Sequence, residues 1–391
     1  MKGTHISNRL KRLVASAIAA VTMVTTLSFG ASAQTFDTKY GTKNIEGESW
    51  MSNLPDDMKI SDMSIPGAHD ATTRNVGEIM EPFAQTQRSY VGDLLIDGVR
   101  YFDLRIYKNN DTLYMCHGDI DCKDLYNNKL TLDSVIDSMR DFLKKNPSET
   151  IILQVKCDRS DKYAEYETFK YFRTMAENGE LYCGDHAPTL GEARGKFLFF
   201  GRLGSHEVCG PTEEQAYKIT KENGSAQYWG IDVLTFTGGD TNKKTMGLTA
   251  KNDEQGYCVW TEDMYDVPRA DKWDYVYNSL MGPDNAAARR DEAKEKGQTA
   301  FNIIYASMSY QNWCEVALRL ANPVYGLISD NDGMVWPSEG ANYINPRLKD
   351  LLKSNQNLYT GFLVCDFIDG TLAQDIYMTN FNVTDGYTGS W

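Results

Sequence analysis

The chain has 391 residues and a formal net charge of −14. Its 41% hydrophobic and 24% charged residues are typical of a globular protein, and it contains no low-complexity tract. Because so acidic a protein is repelled by nucleic acid and has no general attraction to anionic lipid, nucleic acid is excluded as a partner. Membrane contact would therefore depend on a local apolar or aromatic patch.

The first 33 residues predict a secretory signal peptide. An apolar stretch over residues 13–30 follows a segment with four basic side chains, Lys2, Arg9, Lys11 and Arg12. Ala31, Ser32 and Ala33 then offer the small residues that suit cleavage before Gln34. Because this segment carries no acidic residue, its removal changes the net charge from −14 to −18. We therefore expect a secreted mature protein; a retained membrane anchor is the alternative.

Eight apolar runs of strand length alternate with amphipathic segments. The predicted strands are Lys59–Ile65, Val99–Arg105, Thr112–Cys116, Thr150–Lys156, Lys196–Gly201, Tyr257–Thr261, Ala300–Met308 and Thr360–Phe367. The clearest predicted helix has apolar residues at helical spacing from Leu132 to Leu143 and ends at Asn146-Pro147. Weaker helices are predicted at Tyr163–Asn178, Asp271–Met281 and Pro346–Ser354.

This alternation predicts an α/β fold: a single distorted TIM-type (β/α)8 barrel with irregular helices, spanning residues 34–391. Residues from about 204 to 255 are rich in Gly, Thr, Asn and Lys, and we interpret them as an insertion over the barrel rim. Residues 368–391 form a C-terminal tail in this interpretation.

Polar side chains cluster at or just after the ends of the predicted strands. They are His69, Asp103, Arg105, His117, Lys156, Arg202, Asp263 and Asp366. In TIM barrels the chemistry is located at the carboxyl ends of the strands, so this distribution predicts one active site at that end.

Two histidines, an arginine and two acids supply the groups for metal-free phosphodiester cleavage. His69 follows a Pro-Gly turn, and the carboxylate of Asp366, costly to bury alone, would orient its imidazole. The alternative for Asp366 is a structural salt bridge. His117 needs its proton to act as an acid; Asp70, which we expect to point away from His69, is the candidate partner.

Arg105 is the candidate phosphate ligand, because a planar guanidinium can bind a phosphate diester through two hydrogen bonds. It lies two residues after Asp103, so both side chains leave the strand on one face. The alternative is a mutual Asp103–Arg105 ion pair, and the two interpretations are compatible. Metal binding is the rival role for the histidines, but the cations Arg105 and Lys156 occupy positions where ligands would be needed.

From about Met58 to Phe367, the chain resembles the bacterial phosphatidylinositol-specific phospholipase C family, with its X-domain-like barrel. The matching elements occur in the family's order: Ser64-Ile-Pro-Gly-Ala-His-Asp70, Gly98-Val-Arg-Tyr-Phe-Asp-Leu-Arg105, Cys116-His-Gly118, Glu149-Thr-Ile-Ile-Leu-Gln-Val-Lys156, Thr189-Leu-Gly-Glu-Ala-Arg-Gly-Lys196, Asp263-Met-Tyr265, Ile344-Asn-Pro346 and Gly361-Phe-Leu-Val-Cys-Asp366. Each fragment alone is a weak signal, whereas the ordered set is specific.

The resemblance implies a secreted lyase that cleaves phosphatidylinositol to diacylglycerol and inositol 1,2-cyclic phosphate without a metal or cofactor. It implies that His69 is the general base oriented by Asp366, and that His117, supported by Asp70, is the general acid. Arg105 would bind the phosphate. The resemblance also places four residues in the inositol pocket, Lys156, Arg202, Asp263 and Tyr265, with Asp232 as a substitute for Asp263.

Two alternatives remain open from the sequence. One is a metal-dependent glycerophosphodiester phosphodiesterase, and the other is a non-catalytic secreted barrel that binds inositol phosphate or lipid. The expected partner is phosphatidylinositol, with glycosyl-phosphatidylinositol anchors as a further substrate class, and we expect a monomer. Aromatic residues could make peripheral membrane contact: Tyr228, Trp229, Trp260, Trp273, Trp313 and Trp336.

Overall fold

A computed structural model describes residues 45–159, 162–203, 218–220, 226–233, 247–311 and 334–381. The predicted signal peptide, Trp313 and much of the predicted insertion lie outside the described residues. Within the described part of the chain, no helix is long and apolar enough to cross a membrane.

The strands are β1 Ile65–Ala68, β2 Tyr101–Asn109, β3 Thr112–His117, β4 Ile120–Asp121, β5 Ile151–Cys157, β6 Phe197–Arg202, β7 Lys218–Thr220, β8 Ala226–Tyr228, β9 Ile231–Asp232, β10 Gly247–Asn252, β11 Tyr257–Glu262, β12 Thr299–Tyr305, β13 Tyr310–Gln311, β14 Met334–Val335 and β15 Phe362–Cys365. The helices are α1 Glu81–Ala84, α2 Val91–Ile96, α3 Leu132–Lys145, α4 Lys162–Glu177, α5 Leu190–Ala193, α6 Arg269–Met281, α7 Ala286–Glu295, α8 Pro337–Ser354 and α9 Gly370–Met378, with 3₁₀ turns at Gly47–Asn53 and Ile60–Asp62.

Eight parallel strands form the central sheet, in the order β11-β12-β15-β1-β2-β5-β6-β9. Strand β10 adds to β11 in the antiparallel direction. Helices connect most of the parallel neighbours, as right-handed crossovers require. The fold is the predicted distorted TIM-type barrel, and among the described strands no pairing joins β9 to β11 to close it.

The central sheet has eight parallel strands, as predicted, but one of the eight predicted segments is not among them. The segment predicted as the strand Thr112–Cys116 is β3, which pairs antiparallel with β2 and lies off the barrel. Only two residues separate β2 from β3, whereas a parallel pair needs a crossover of about a dozen residues or more. The eighth parallel strand is β9, which falls inside the region interpreted as an insertion. That region therefore contributes to the barrel itself.

Two other segments differ from expectation. The first strand runs from Ile65 to Ala68 and is preceded by a 3₁₀ turn, where the sequence predicted a strand beginning at Lys59. The residues assigned to a C-terminal tail include α9, whose buried face contains Leu372, Ile376 and Tyr377. Tyr377 stacks on Trp50 at a ring distance of 5.3 Å, so this helix packs against the N-terminal 3₁₀ turn.

The helix predicted most clearly is confirmed. In α3 the apolar face is buried, and Thr131 caps its amino end by accepting a hydrogen bond from the backbone N–H of Ser134. Asn146 follows the last helical residue, and Pro147 prevents the helix from continuing. Helix α8 begins nine residues earlier than predicted, and Pro346 lies inside it.

Candidate active site

The register of the sheet brings His69 and Asp366 together. Ala68 pairs with Cys365 at the carboxyl ends of β1 and β15, so the next residue of each strand emerges at the same level. The Nδ1 atom of His69 lies 2.7 Å from Oδ1 of Asp366. The second carboxylate oxygen of Asp366 accepts the backbone N–H of Met308 at 3.2 Å. The predicted pairing of a buried acid with His69 is therefore present in the geometry.

Three carboxylates surround the imidazole of His69. Its Nε2 atom lies 3.6 Å from Asp70 Oδ2 and 3.9 Å from Asp103 Oδ2. Burial lowers the pKa of His69, but Asp70, Asp366 and Asp103 outweigh it and raise that pKa to about 9. The neutral ring, with Nδ1–H toward Asp366 and an unprotonated Nε2, is the form that can act as a base, and the raised pKa makes it the minor form near neutral pH.

This charge distribution predicts how stability depends on pH. The pKa of His69 is raised from 6.5 to about 9 on folding, which corresponds to on the order of 3 kcal/mol of stabilisation. Because the folded-state pKa is the higher one, this stabilisation is complete below pH 6.5 and is lost as the pH rises through about 9. We expect the free-energy difference between wild type and His69→Asn to shrink across that window in denaturant unfolding.

The control for this experiment is His186→Asn. His186 also has two carboxylate neighbours, but its side chain is 54% exposed and solvent screens the interaction. Across the same pH window, the free-energy difference of unfolding between wild type and His186→Asn should change much less. Parallel wild-type and His69→Asn stability curves would contradict the assignment of the raised pKa to His69.

Asp70 lies between the two histidines, which corrects the expectation that it points away from His69. Its backbone has a φ of 40°, a left-handed conformation that turns the side chain back into the site. Asp70 Oδ2 lies 3.2 Å from Nε2 of His117, and Nδ1 of His117 lies 3.1 Å from the carbonyl oxygen of Ala84. Both ring nitrogens of His117 therefore face hydrogen-bond acceptors, and the nitrogen beside Asp70 is Nε2.

Arg105 is held by three carboxylates. Its Nε and Nη2 atoms donate to the two oxygens of Asp103, each at 2.8 Å. Nε also lies 3.0 Å from Asp70, and Nη1 lies 3.3 Å from Asp158. Burial lowers the pKa of Arg105, but these anions raise it well above its usual range. The ion pair with Asp103 is therefore present, and it fixes the guanidinium at the level of the two histidines.

The predicted pocket residues lie on the neighbouring strands. Arg105, Lys156 and Arg202 occupy paired positions on β2, β5 and β6, so three cations share one level of the barrel. Arg202 donates to Asp263 at 2.9 Å, and the side chain of Tyr265 is 56% exposed. Asp103 and Arg105 lie inside β2, which continues to Asn109, so the prediction that they lie at or just after a strand end was wrong for them; Lys156 is the second-last residue of β5. For Asp232 the structure describes the backbone, which pairs with Gly201.

Four residues of the site were missed as functional candidates. Asp158 follows β5 and contacts Arg105 and Lys156; its position just after a predicted strand was a usable signal. Gln154 donates to Asp103 at 3.0 Å and accepts the hydroxyl groups of Tyr101 and Tyr305 at 2.8 and 2.7 Å. Gln154 precedes Lys156 by two residues and so shares its face, whereas the tyrosines carried no signal that distinguished them from core residues.

One group in the described part of the chain has the composition and spacing to hold a metal ion. Ligand atoms of His69, Asp70 and Asp103 all lie within 4.8 Å of one another. Both of these carboxylates already pair with Arg105, so a divalent cation would have to compete with the guanidinium for them. The donor set therefore suits a bound cationic side chain better than a metal.

The aromatic residues expected at a membrane surface are only partly available. Trp229 is fully buried and packs against Phe169 and Phe199, so the expectation was wrong for this residue. Tyr228 is buried, whereas three other tryptophans are half-buried, Trp260, Trp273 and Trp336. Among the residues that the structure describes, the most exposed large apolar side chains are instead Ile79, Leu125 and Tyr126, at 85%, 74% and 83% exposure.

Comparisons with known proteins find similar sequences. Residues 63–203 match the family model described as phosphatidylinositol-specific phospholipase C, X domain. The chain is 34% identical over 167 residues to a 1-phosphatidylinositol phosphodiesterase of Listeria monocytogenes, a match covering 40% of this chain and 49% of that protein. It is 26% identical over 333 residues to the protein of the same name from Staphylococcus aureus, covering 82% and 88%.

Solved structures show the same fold. A structure of the S. aureus phosphatidylinositol-specific phospholipase C matches with a TM-score of 0.61 and 21% identity, covering 85% of this chain and 97% of that one. The L. monocytogenes enzyme matches with a TM-score of 0.58 and 21% identity, covering 86% and 99%. Together with the match of residues 63–203 to the X-domain model and the grouping of His69, Arg105, His117 and Asp366, these comparisons show that the chain is similar to bacterial phosphatidylinositol-specific phospholipases C.

Proposed function

We propose that this protein cleaves phosphatidylinositol to diacylglycerol and inositol 1,2-cyclic phosphate by metal-independent general acid–base catalysis. The observation that carries this proposal is the placement of Asp70 between His69 and His117, beside the guanidinium of Arg105. A base, a phosphate-binding cation and an acid then meet within one cluster. The names of the relatives support the choice of substrate.

In the first step His69 acts as the base. Its Nε2 atom takes the proton of the inositol 2-hydroxyl while the Nδ1–H donates to Asp366. The 2-oxygen then attacks phosphorus within the same molecule. Because the attacking group is already positioned, the activation free energy is lowered by several kcal/mol. Asp366 keeps the imidazole in the required tautomer and orientation and stabilises the imidazolium.

In the second step the bond from phosphorus to the glycerol oxygen breaks. His117 gives its Nε2 proton to this oxygen and diacylglycerol leaves as a neutral alcohol, while Asp70 takes part by orienting the ring. Arg105 stabilises the negative charge that gathers on the non-bridging phosphate oxygens. The new bond from the 2-oxygen to phosphorus completes the five-membered cyclic phosphate.

The remaining polar residues suit an inositol ring with its many hydroxyls. Lys156 and Arg202 can donate hydrogen bonds, and Asp263 can accept them. The half-exposed ring of Tyr265 lies near the rim and can stack on the face of the sugar. Since Asp263 already pairs with Arg202, substrate hydroxyls would share an existing ion pair.

The protein acts, in this proposal, as a secreted monomer that contacts membranes peripherally. The amino-terminal residues support export. One structure of the S. aureus relative concerns its membrane binding, and the exposed Ile79, Leu125 and Tyr126 provide apolar side chains here. Glycosyl-phosphatidylinositol anchors are a further proposed substrate class, because they carry the same inositol phosphodiester.

The test is to incubate the mature protein with phosphatidylinositol vesicles in excess EDTA and to follow the water-soluble products by phosphorus NMR. We expect a cyclic inositol phosphate as the first product, at a rate that added calcium does not change. Turnover only after calcium is added would show a metal-dependent enzyme and would remove the role given to Arg105. No product under either condition would favour another phosphodiester or a binding protein.

A further inference from the structure

We propose that Asp158 is a positioning residue for proton donation to the leaving group. This proposal rests on the proposed function, because it takes His117 as the group that protonates the leaving oxygen. Asp158 follows the last residue of β5, and its side chain is 8% exposed. It does not contact either histidine in the described hydrogen-bond network, so its effect is exerted through the chain segment that carries His117.

Asp158 connects the cationic side of the site to that segment. Its Oδ1 atom lies 3.3 Å from Nη1 of Arg105 and 3.1 Å from Nζ of Lys156. Its Oδ2 atom accepts the backbone N–H of Gly118, the residue after His117, at 2.9 Å. Burial raises the pKa of Asp158, but Arg105 and Lys156 outweigh it and hold that pKa well below its usual range. The carboxylate is therefore ionised throughout the neutral range.

The next residue holds the other side of the same turn. Arg159 donates from Nε to the carbonyl oxygen of Gly118 at 3.1 Å and from Nη2 to Asp121 at 2.7 Å. Its guanidinium also lies 3.6 Å from the centre of the Tyr107 ring. Both backbone groups of Gly118, whose φ is +55°, are thus held by two consecutive residues of the barrel.

The hydrogen bonds from Gly118 to Asp158 and from Arg159 to Gly118 form a clamp on this turn. The turn needs such a clamp because β3 is not a strand of the barrel. His117 is the last residue of β3, and the short turn from β3 to β4 begins at Gly118, which both side chains hold. A proton donor works within about 2.6–3.2 Å of its acceptor, so a small displacement of the turn weakens proton transfer. Loss of Asp158 should therefore affect leaving-group protonation more than the attack of the 2-hydroxyl.

The experiment compares two substrates with different leaving groups in the wild type and Asp158→Ala. One is phosphatidylinositol, whose alkoxide leaving group needs a proton. The other is the inositol 1-phosphodiester of 4-nitrophenol, whose phenolate leaves without one. We expect kcat of Asp158→Ala to fall at least ~10-fold more for the lipid than for the nitrophenyl substrate, because general acid catalysis contributes to the first reaction alone.

Two further variants separate the contributions. Asp158→Asn keeps an oxygen that can accept the Gly118 N–H and removes the charge. It should therefore lower kcat on both substrates by the same factor, so that the ratio of kcat on the lipid to kcat on the nitrophenyl substrate equals that of the wild type. Arg159→Met removes the hydrogen bond to the Gly118 carbonyl while its side chain can still cover Tyr107. It should shift the ratio in the same direction as Asp158→Ala, and it serves as the second test if Asp158→Ala does not fold.

The matched control is Asp124→Ala, which removes a carboxylate that caps backbone N–H groups of Tyr126 and Asn128 in the adjacent loop. Its substrate ratio should equal that of the wild type. Equal losses on both substrates in Asp158→Ala and Arg159→Met would overturn the positioning role. A wild-type protein that cleaves neither substrate would instead refute the proposed function, so the two failures are distinguishable.

Discussion

We expect His69→Ala to lower kcat for phosphatidylinositol cleavage by about 10²–10⁴-fold, the range for loss of a general base. The substitution removes the atom that takes the 2-hydroxyl proton and leaves Asp366 without its partner at 2.7 Å. It does not alter Arg105 or His117, so substrate should still bind. The measurement is kcat and KM on vesicles for wild type and variant, and we expect the loss to appear in kcat.

His186→Ala is the control for this prediction, because it replaces an exposed histidine whose partners are Asp185 and Glu192. It should retain wild-type activity. Circular dichroism should show that His69→Ala is folded, because His69 follows the last residue of β1 and the substitution removes no side chain of that buried strand. A folded His69→Ala that retained wild-type kcat would show that the base is another group.

We expect Arg105→Lys to lower kcat by about 10²–10³-fold, the range for loss of one preorganised donor to developing charge. A lysine keeps the positive charge but cannot donate to both oxygens of Asp103 and also reach Asp70 and Asp158. The decrease in kcat therefore measures what the planar, multiple-donor geometry of the guanidinium contributes beyond its positive charge. We call this arrangement of donors the guanidinium fork. Steady-state kinetics on phosphatidylinositol vesicles measure it.

Arg140→Lys is the matched control, because Arg140 pairs with Glu180 and Asp137 on the outer surface of the barrel. Surface ion pairs contribute little, so this variant should be as active and nearly as stable as wild type. A thermal unfolding curve for Arg105→Lys checks that Asp103 still has a cation beside it. If Arg105→Lys is folded and fully active, a single positive charge is enough and the fork has no role.

Much of this site could be predicted from the sequence because parallel strands carry their carboxyl ends to one edge. Once His69 and Asp366 are placed after two strands, the register of adjacent strands determines that they meet. The same reasoning placed Arg105 and Lys156 near each other, and their paired positions on β2 and β5 agree with it. Periodicity was enough for α3, because one face of that helix is continuously apolar and buried.

The parts that escaped prediction depend on local backbone conformation or on tertiary pairing. Nothing in the identity of Asp70 specifies the φ of 40° that turns it toward both histidines. The eighth barrel strand, β9, has two residues, too few for a periodic signal. The clamp on Gly118 requires knowing that a hairpin leaves the barrel and returns to it, which the short connection after β2 indicates only in retrospect.

The hydrogen bond from His69 to Asp366 joins residues 297 positions apart, in the first and one of the last strands of the barrel. A chain that ends between His117 and Asp366 contains His69, Arg105 and His117 but lacks the carboxylate that orients the base in the proposed mechanism. In that mechanism, catalytic competence therefore depends on the pairing of β15 with β1. For an enzyme that cleaves a membrane lipid, this topology would leave any chain without a docked β15 inactive in the proposed mechanism.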